Sequence, residues 1–189
     1  MEKTAVQKLA GALKVLVTIT LVCNLVALLL VPGMSLMKGP EELLALTPYE
    51  NPLEVPLRVG IAFVLSWGWV WTAGVYEVVL ALFLQFCGIC TAVILWQGRR
   101  VLGTILTGAP FRAENGVSLR RAAVCCFLIA AAALARVVWG LFYYGSVAPL
   151  LTYNALFVPI FILGGLLCLV MSALFRQAAE LKAENDLTI

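Results

Sequence analysis

Four apolar runs, at residues 13–31, 70–96, 122–142 and 155–174, constrain this chain more than anything else in it. Each is long enough to cross a bilayer, whose hydrocarbon core of about 30 Å takes about twenty helical residues. Hydrocarbon offers no hydrogen bonds, so a lipid-exposed backbone must satisfy its own N–H and C=O groups, which a helix does within one segment. The make-up of the chain agrees: 63% of it is apolar, 12% is charged and the mean hydropathy is +1.03. Soluble domains are nearer half apolar. The fold expected is all-α, an integral membrane four-helix bundle forming one domain over residues 1–189. A cytoplasmic amphipathic loop helix and a helical C-terminal extension complete it.

Orientation follows from the charges between the runs. Residues 98–121 carry Arg99, Arg100, Arg112, Arg120 and Arg121, and Lys3, Lys8 and Lys14 lie before or at the very start of the first run. Arg176 and Lys182 follow the last run, whereas the segment after the first run holds only Lys38 and Arg58. Basic residues stay on the cytoplasmic side, so both termini are expected there, in a cell membrane crossed four times. The first run exceeds a usual signal-peptide core and no small-residue cleavage site follows it. Val22 also stands where a lipoprotein signal before Cys23 needs a small residue, so the run reads as an uncleaved span.

The connections have distinct characters. Residues 32–66 hold five of the eight prolines and Glu41, Glu42, Glu50 and Glu54, the composition of an irregular, acidic external loop. Trp67, Trp69 and Trp71 then suit the headgroup level. Val101, Leu102, Ile105 and Leu106 recur at helical spacing, and Gly108, Ala109 and Pro110 break that helix. Asn115-Gly116 offers a turn and Ser118 a helix start. After the fourth run, Met171, Leu174, Phe175, Ala178 and Leu181 continue one apolar face toward the C-terminus.

Little in the chain points to catalysis. There is no histidine, the commonest general base and metal ligand at neutral pH. The six cysteines, Cys23, Cys87, Cys90, Cys125, Cys126 and Cys168, lie in apolar runs and read as packing residues. Cys87 and Cys90 have redox spacing, but no polar neighbour is at hand to stabilise a thiolate. No enzyme activity, cofactor or metal is expected, and the charge pattern gives no sign of direct nucleic-acid binding. Two ionisable residues, Glu77 and Arg136, fall within runs, where charge is costly and is usually paired or functional. With Asn24 at a comparable depth they are expected to form an intramembrane polar cluster. Small residues beside them, among them Ala81, Gly88, Ala133 and Gly140, fit close helix packing in lipid.

Two stretches resemble a known family. They are residues 107–115, TGAPFRAEN, followed by Leu119-Arg120-Arg121, and residues 175–189, FRQAAELKAENDLTI. Together they resemble the bacterial four-span membrane family catalogued as domain of unknown function twenty-nine seventy-five. The resemblance implies no established activity; it implies a signalling role beside a small cytoplasmic helix-turn-helix regulator of the Xre type. The partner-binding candidates are then Pro110, Phe111, Asn115, Arg120 and Arg121 in the loop. In the tail they are Glu184, Asn185, Asp186, Leu187, Thr188 and Ile189. A small transporter or immunity-type protein, built around Glu77 and Arg136, is the alternative.

Overall fold

The computed structural model describes residues 5–36 and 54–186, with side chains throughout except at 34–36, 54–59, 62–63 and 186. These residues form five α-helices and two 3-10 turns, and no strand occurs among them. The helices are α1 (Ala5–Leu36), α2 (Glu54–Trp69), α3 (Val75–Leu106), α4 (Ala113–Tyr144) and α5 (Tyr153–Asp186). The 3-10 turns, Val70–Thr72 and Ala148–Leu151, lead into α3 and α5. α1, α3, α4 and α5 are long and apolar enough to cross a membrane, as the four apolar runs require.

Each of these helices outruns its apolar core. Thirty-two residues, the length of α3 and of α4, extend about 48 Å at 1.5 Å per residue, well beyond the hydrocarbon. What ends them is backbone chemistry rather than loss of hydrophobicity. At the end of α3, Gly108 takes φ +75° and its N–H bonds Ile105 O at 3.1 Å, while Ala109 N–H bonds Thr104 O at 3.1 Å. This left-handed closure needs glycine, and Pro110 then prevents the helix from resuming. α4 ends the same way at Gly145, φ 59°, whose N–H bonds Leu141 O at 3.0 Å.

Several boundaries differ from those read off the sequence. The amphipathic stretch before Gly108 is helical and runs on from the second span without a break, as the last turns of α3. Asn115 and Gly116 lie in the first turn of α4 rather than in a turn before it, because the helix already begins at Ala113. Pro32 lies inside α1, and residues 54–66, expected to end the irregular loop, belong to helix α2. The rest of that proline-rich loop, residues 37–53, lies outside the described residues.

The chain forms two compact units, one of residues 1–24 with 89–189 and the other of residues 25–88. In the first, α4 is the buried centre: Gly116, Ala123, Ala130 and Val137 recur every seven residues on one side, and Cys126, Ala133 and Gly140 do so beside them. Small side chains at this spacing let a neighbouring helix approach closely, which is how helices associate where lipid removes the hydrophobic drive. α5 answers with its own small residues. Gly165 lies beneath the Phe127 ring, so close that a Cβ there would stand 2.8 Å from it. In the second unit Gly88 plays the same part, its missing Cβ leaving room for Leu28. The Trp67 indole N–H donates to Leu29 O at 3.1 Å, tying α2 to α1.

Candidate functional site

The α3–α4 turn is organised by one buried side chain. Asn115, 2% exposed, donates from Nδ2 to Thr104 Oγ1 and to Pro110 O, both at 2.7 Å. One amide thus joins the last turns of α3, the connecting turn and the first turn of α4. Thr104 Oγ1 accepts that bond while donating its own proton to Val101 O at 2.7 Å, which fixes the direction of the chain of hydrogen bonds. Asn115 is therefore a structural staple rather than the exposed partner contact that the sequence suggested.

The start of α4 is locked onto α5. Ser172 Oγ donates to Gly116 O at 2.7 Å. A Cβ on Gly116 would meet Ser172 O at 3.1 Å and Arg176 Cγ at 2.8 Å, so any larger residue would have to push the two helices or the arginine aside. Phe111 and Phe175 face each other with ring centroids 6.4 Å apart, within the range of a favourable aromatic pair. Beyond this joint α5 opens out. Arg176 and Glu180 make an exposed pair at 4.0 Å, Leu181 is 67% exposed, and Glu184 and Asn185 are exposed. Asp186 closes the helix, and Leu187, Thr188 and Ile189 lie outside the described residues. Arg120 and Arg121 are both exposed, as a partner contact requires.

The intramembrane polar residues divide between the units. Arg136 Nη1 donates to Asn154 Oδ1 at 3.0 Å across the α4–α5 hairpin, a bond the sequence reading missed because Asn154 was assigned to the loop before the fourth span. Glu77 belongs to the other unit, so its pairing with Arg136 rests on the sequence argument alone. Its local setting is nonetheless informative. α3 begins at Val75, which places Glu77 in the first helical turn, with its carboxylate folded back over Gly74. A carboxylate there complements the positive end of the helix dipole, a sufficient structural reason for an acid at this position.

All six cysteines are free thiols. Cys90 lies beside Cys125 on α4, and Cys126 beside Cys168 on α5, so the thiols pack between helices. Among the described residues no group of acidic and cysteine side chains could hold a metal ion.

The staple and the joint lie in segments that the chain shares with a wider group. Residues 46–189 match the model of a family described as a protein of unknown function (DUF2975), a stretch that includes α2 to α5 and more than half of the chain. The chain belongs to this family. The matched stretch contains every loop and tail candidate named above, whereas α1 and Asn24 precede it. Neither a curated protein nor a solved structure matches the chain. The family brings no activity with it, and the match spans three of the four membrane-compatible helices, α3, α4 and α5.

Proposed function

We propose that the protein is a multi-pass component of the bacterial cell membrane, with both termini in the cytoplasm, that binds a cytoplasmic partner and catalyses no reaction. The observation that carries this reading is the joint between the α3–α4 turn and α5. The Ser172–Gly116 bond and the Phe111–Phe175 contact hold two distant chain segments at fixed spacing, and these segments bear the family resemblance. A rigid surface assembled from two segments suits recognition of a folded partner, because little ordering entropy is lost on binding. The five arginines of residues 98–121 support the orientation. The partner class proposed, on the strength of the resemblance, is a helix-turn-helix regulator of the Xre type.

The test is co-purification of such a regulator with the full-length protein after crosslinking in native membranes. The wild type should retain it. Leu181→Glu combined with removal of residues 185–189 should lose it without lowering the melting temperature, since Leu181 and the described residues after it are exposed. Undiminished retention in that variant overturns the role given to the tail, and no retention by the wild type overturns the partner.

One observation favours a second reading, a small transporter or immunity-type protein. Asn24, Gln85 and Gln97 each bury an amide oxygen that accepts no hydrogen bond. Such oxygens are costly, and an unsatisfied buried group in a native fold calls for an explanation. If they are a burden only, Asn24→Leu and Gln85→Leu should raise stability and leave cellular phenotype unchanged. Loss of phenotype with a retained fold would support the second reading.

A further inference from the structure

A cavity of about 270 Å³ opens at the α3–α4 turn, lined by Arg100, Arg112, Thr104, Thr107, Glu114 and Ser118 together with the Asn115 staple. Three features of its wall concern ligand chemistry. Neither Arg100 nor Arg112 makes an ion pair or hydrogen bond with a described residue, so both guanidiniums keep their donors. The Thr104 and Thr107 hydroxyls do not: they donate to Val101 O at 2.7 Å and to Thr104 O at 3.0 Å and only shape the wall. Ser118 is the exception. It is 5% exposed, its hydroxyl has no partner among the described residues, and it faces this cavity. The side chain is buried but for the hydroxyl, which meets the cavity with its proton uncommitted, so its natural complement is an acceptor brought by a ligand.

The charge around the cavity points the same way. A second cavity of about 270 Å³ adjoins it, sharing Arg100 and Gly103 and adding Lys14, Arg99 and Trp96. The Lys14 ammonium stands beside Gly103, and Arg99 lies over the Trp96 ring at 5.8 Å. Four cations thus border the two cavities against one carboxylate, Glu114. Each cavity falls below the roughly 300–1,000 Å³ typical of drug-sized ligands, which suits a compact anion rather than a nucleotide. We propose that the α3–α4 turn holds a phosphate group, with Arg100 and Arg112 as its charged donors and the Ser118 hydroxyl as the third donor. Planar guanidiniums match phosphate oxygens in pairs, which ammonium groups do not. The site shares the α3–α4 turn with the partner reading, but none of its three donors is a partner candidate and none belongs to the α5 tail.

Phosphate of this kind comes either from the headgroup of an anionic lipid or from free phosphate, and the experiment separates the two. Full-length protein is placed in nanodiscs of phosphatidylcholine alone, and its melting temperature is followed as inorganic phosphate replaces chloride at constant ionic strength. In parallel, phosphatidic acid is introduced into the discs, and the lipid retained is counted by native mass spectrometry. A free-phosphate site gives a saturable rise in melting temperature in the first arm, and a lipid site gives selective retention in the second. In the responding arm Arg112→Gln, at an exposed position, should weaken apparent affinity roughly tenfold, the scale of a lost charged hydrogen bond. Ser118→Ala should weaken it less, and Glu114→Gln should strengthen it. The proposal is overturned if neither arm responds in the wild type, or if the response survives both Arg112→Gln and Arg100→Gln unchanged.

Discussion

Asn115 shows how a residue can be placed correctly by sequence and assigned the wrong task. Asn followed by Gly reads as a turn, and so it was expected before α4; yet the side chain is buried and tethers three segments. Asn115→Ala should remove two hydrogen bonds and leave Pro110 O and Thr104 Oγ1 short of a donor, costing about 1–3 kcal/mol. Thermal unfolding in detergent measures this, and an unchanged melting temperature would deny the staple. Gly116 is the sharper case, because nothing in the sequence marks it as the point where two helices touch. Gly116→Ala forces a Cβ against the Ser172 carbonyl, which is backbone and cannot swing aside. Overpacking of this sort costs about 1–3 kcal/mol. Ser172→Ala, which removes only the hydroxyl, should cost about 1 kcal/mol. If the two substitutions proved equally mild, the close approach at Gly116 would be wrong. Glu77 is legible in the opposite sense. Its charge is plain in the sequence, but the role of a helix-start acid appears only once α3 is known to begin at Val75.

At the scale of elements the apolar runs located every membrane-compatible helix, because their hydrophobicity alone identifies them. Their ends were less legible. A helix outside lipid is ended by capping chemistry, so α3 persists to Leu106, well past the run that ends at residue 96, and α4 starts at Ala113, well before the run that begins at residue 122. The pairing across the α4–α5 hairpin was not read at all, although its register is simple. Arg136 and Asn154 are each nine residues from Gly145. Phe127 and Gly165 lie 18 and 20 residues from it, and Gly116 and Ser172 lie 29 and 27. An antiparallel hairpin centred near Gly145 accounts for all three, and the short connection between α4 and α5 supplied the means of finding them. Interhelical hydrogen bonds in membranes are modest, so Asn154→Ala should cost about 0.6 kcal/mol and no more than about 1.7. Gly145→Ala should cost about 1 kcal/mol through its left-handed backbone without moving the register. Crosslinking of cysteines introduced at Phe127 and Gly165 would report that register, and capture instead at positions one turn away would refute it.

For the whole molecule the decisive property is the placement of charge along the chain. Ten of the thirteen basic residues lie before or at the start of the first apolar run, between the second and third, or after the fourth. Four crossings return the chain to the side on which it started, so these three regions share one face of the membrane if every apolar helix spans it. In the proposed orientation, which rests on the positive-inside rule, that face is the cytoplasmic one and the uncharged segment between α4 and α5 faces outward. Reporter fusions test this directly. A phosphatase that requires the periplasm should be active when inserted after Val147 and inactive when joined after Ala109 or at the C-terminus, and a cytoplasmic reporter should give the converse pattern. Because the rule counts local Lys and Arg rather than net charge, neutralising Arg99, Arg100, Arg120 and Arg121 together should yield a mixed population, whereas removing Glu114 should leave topology unchanged. Activity of the periplasmic reporter at the C-terminus of the wild type would place α5's extension outside the cell, and with it would fall the cytoplasmic partner. The phosphate site would survive that result on the opposite side of the membrane, where the same two arginines would meet a different set of headgroups.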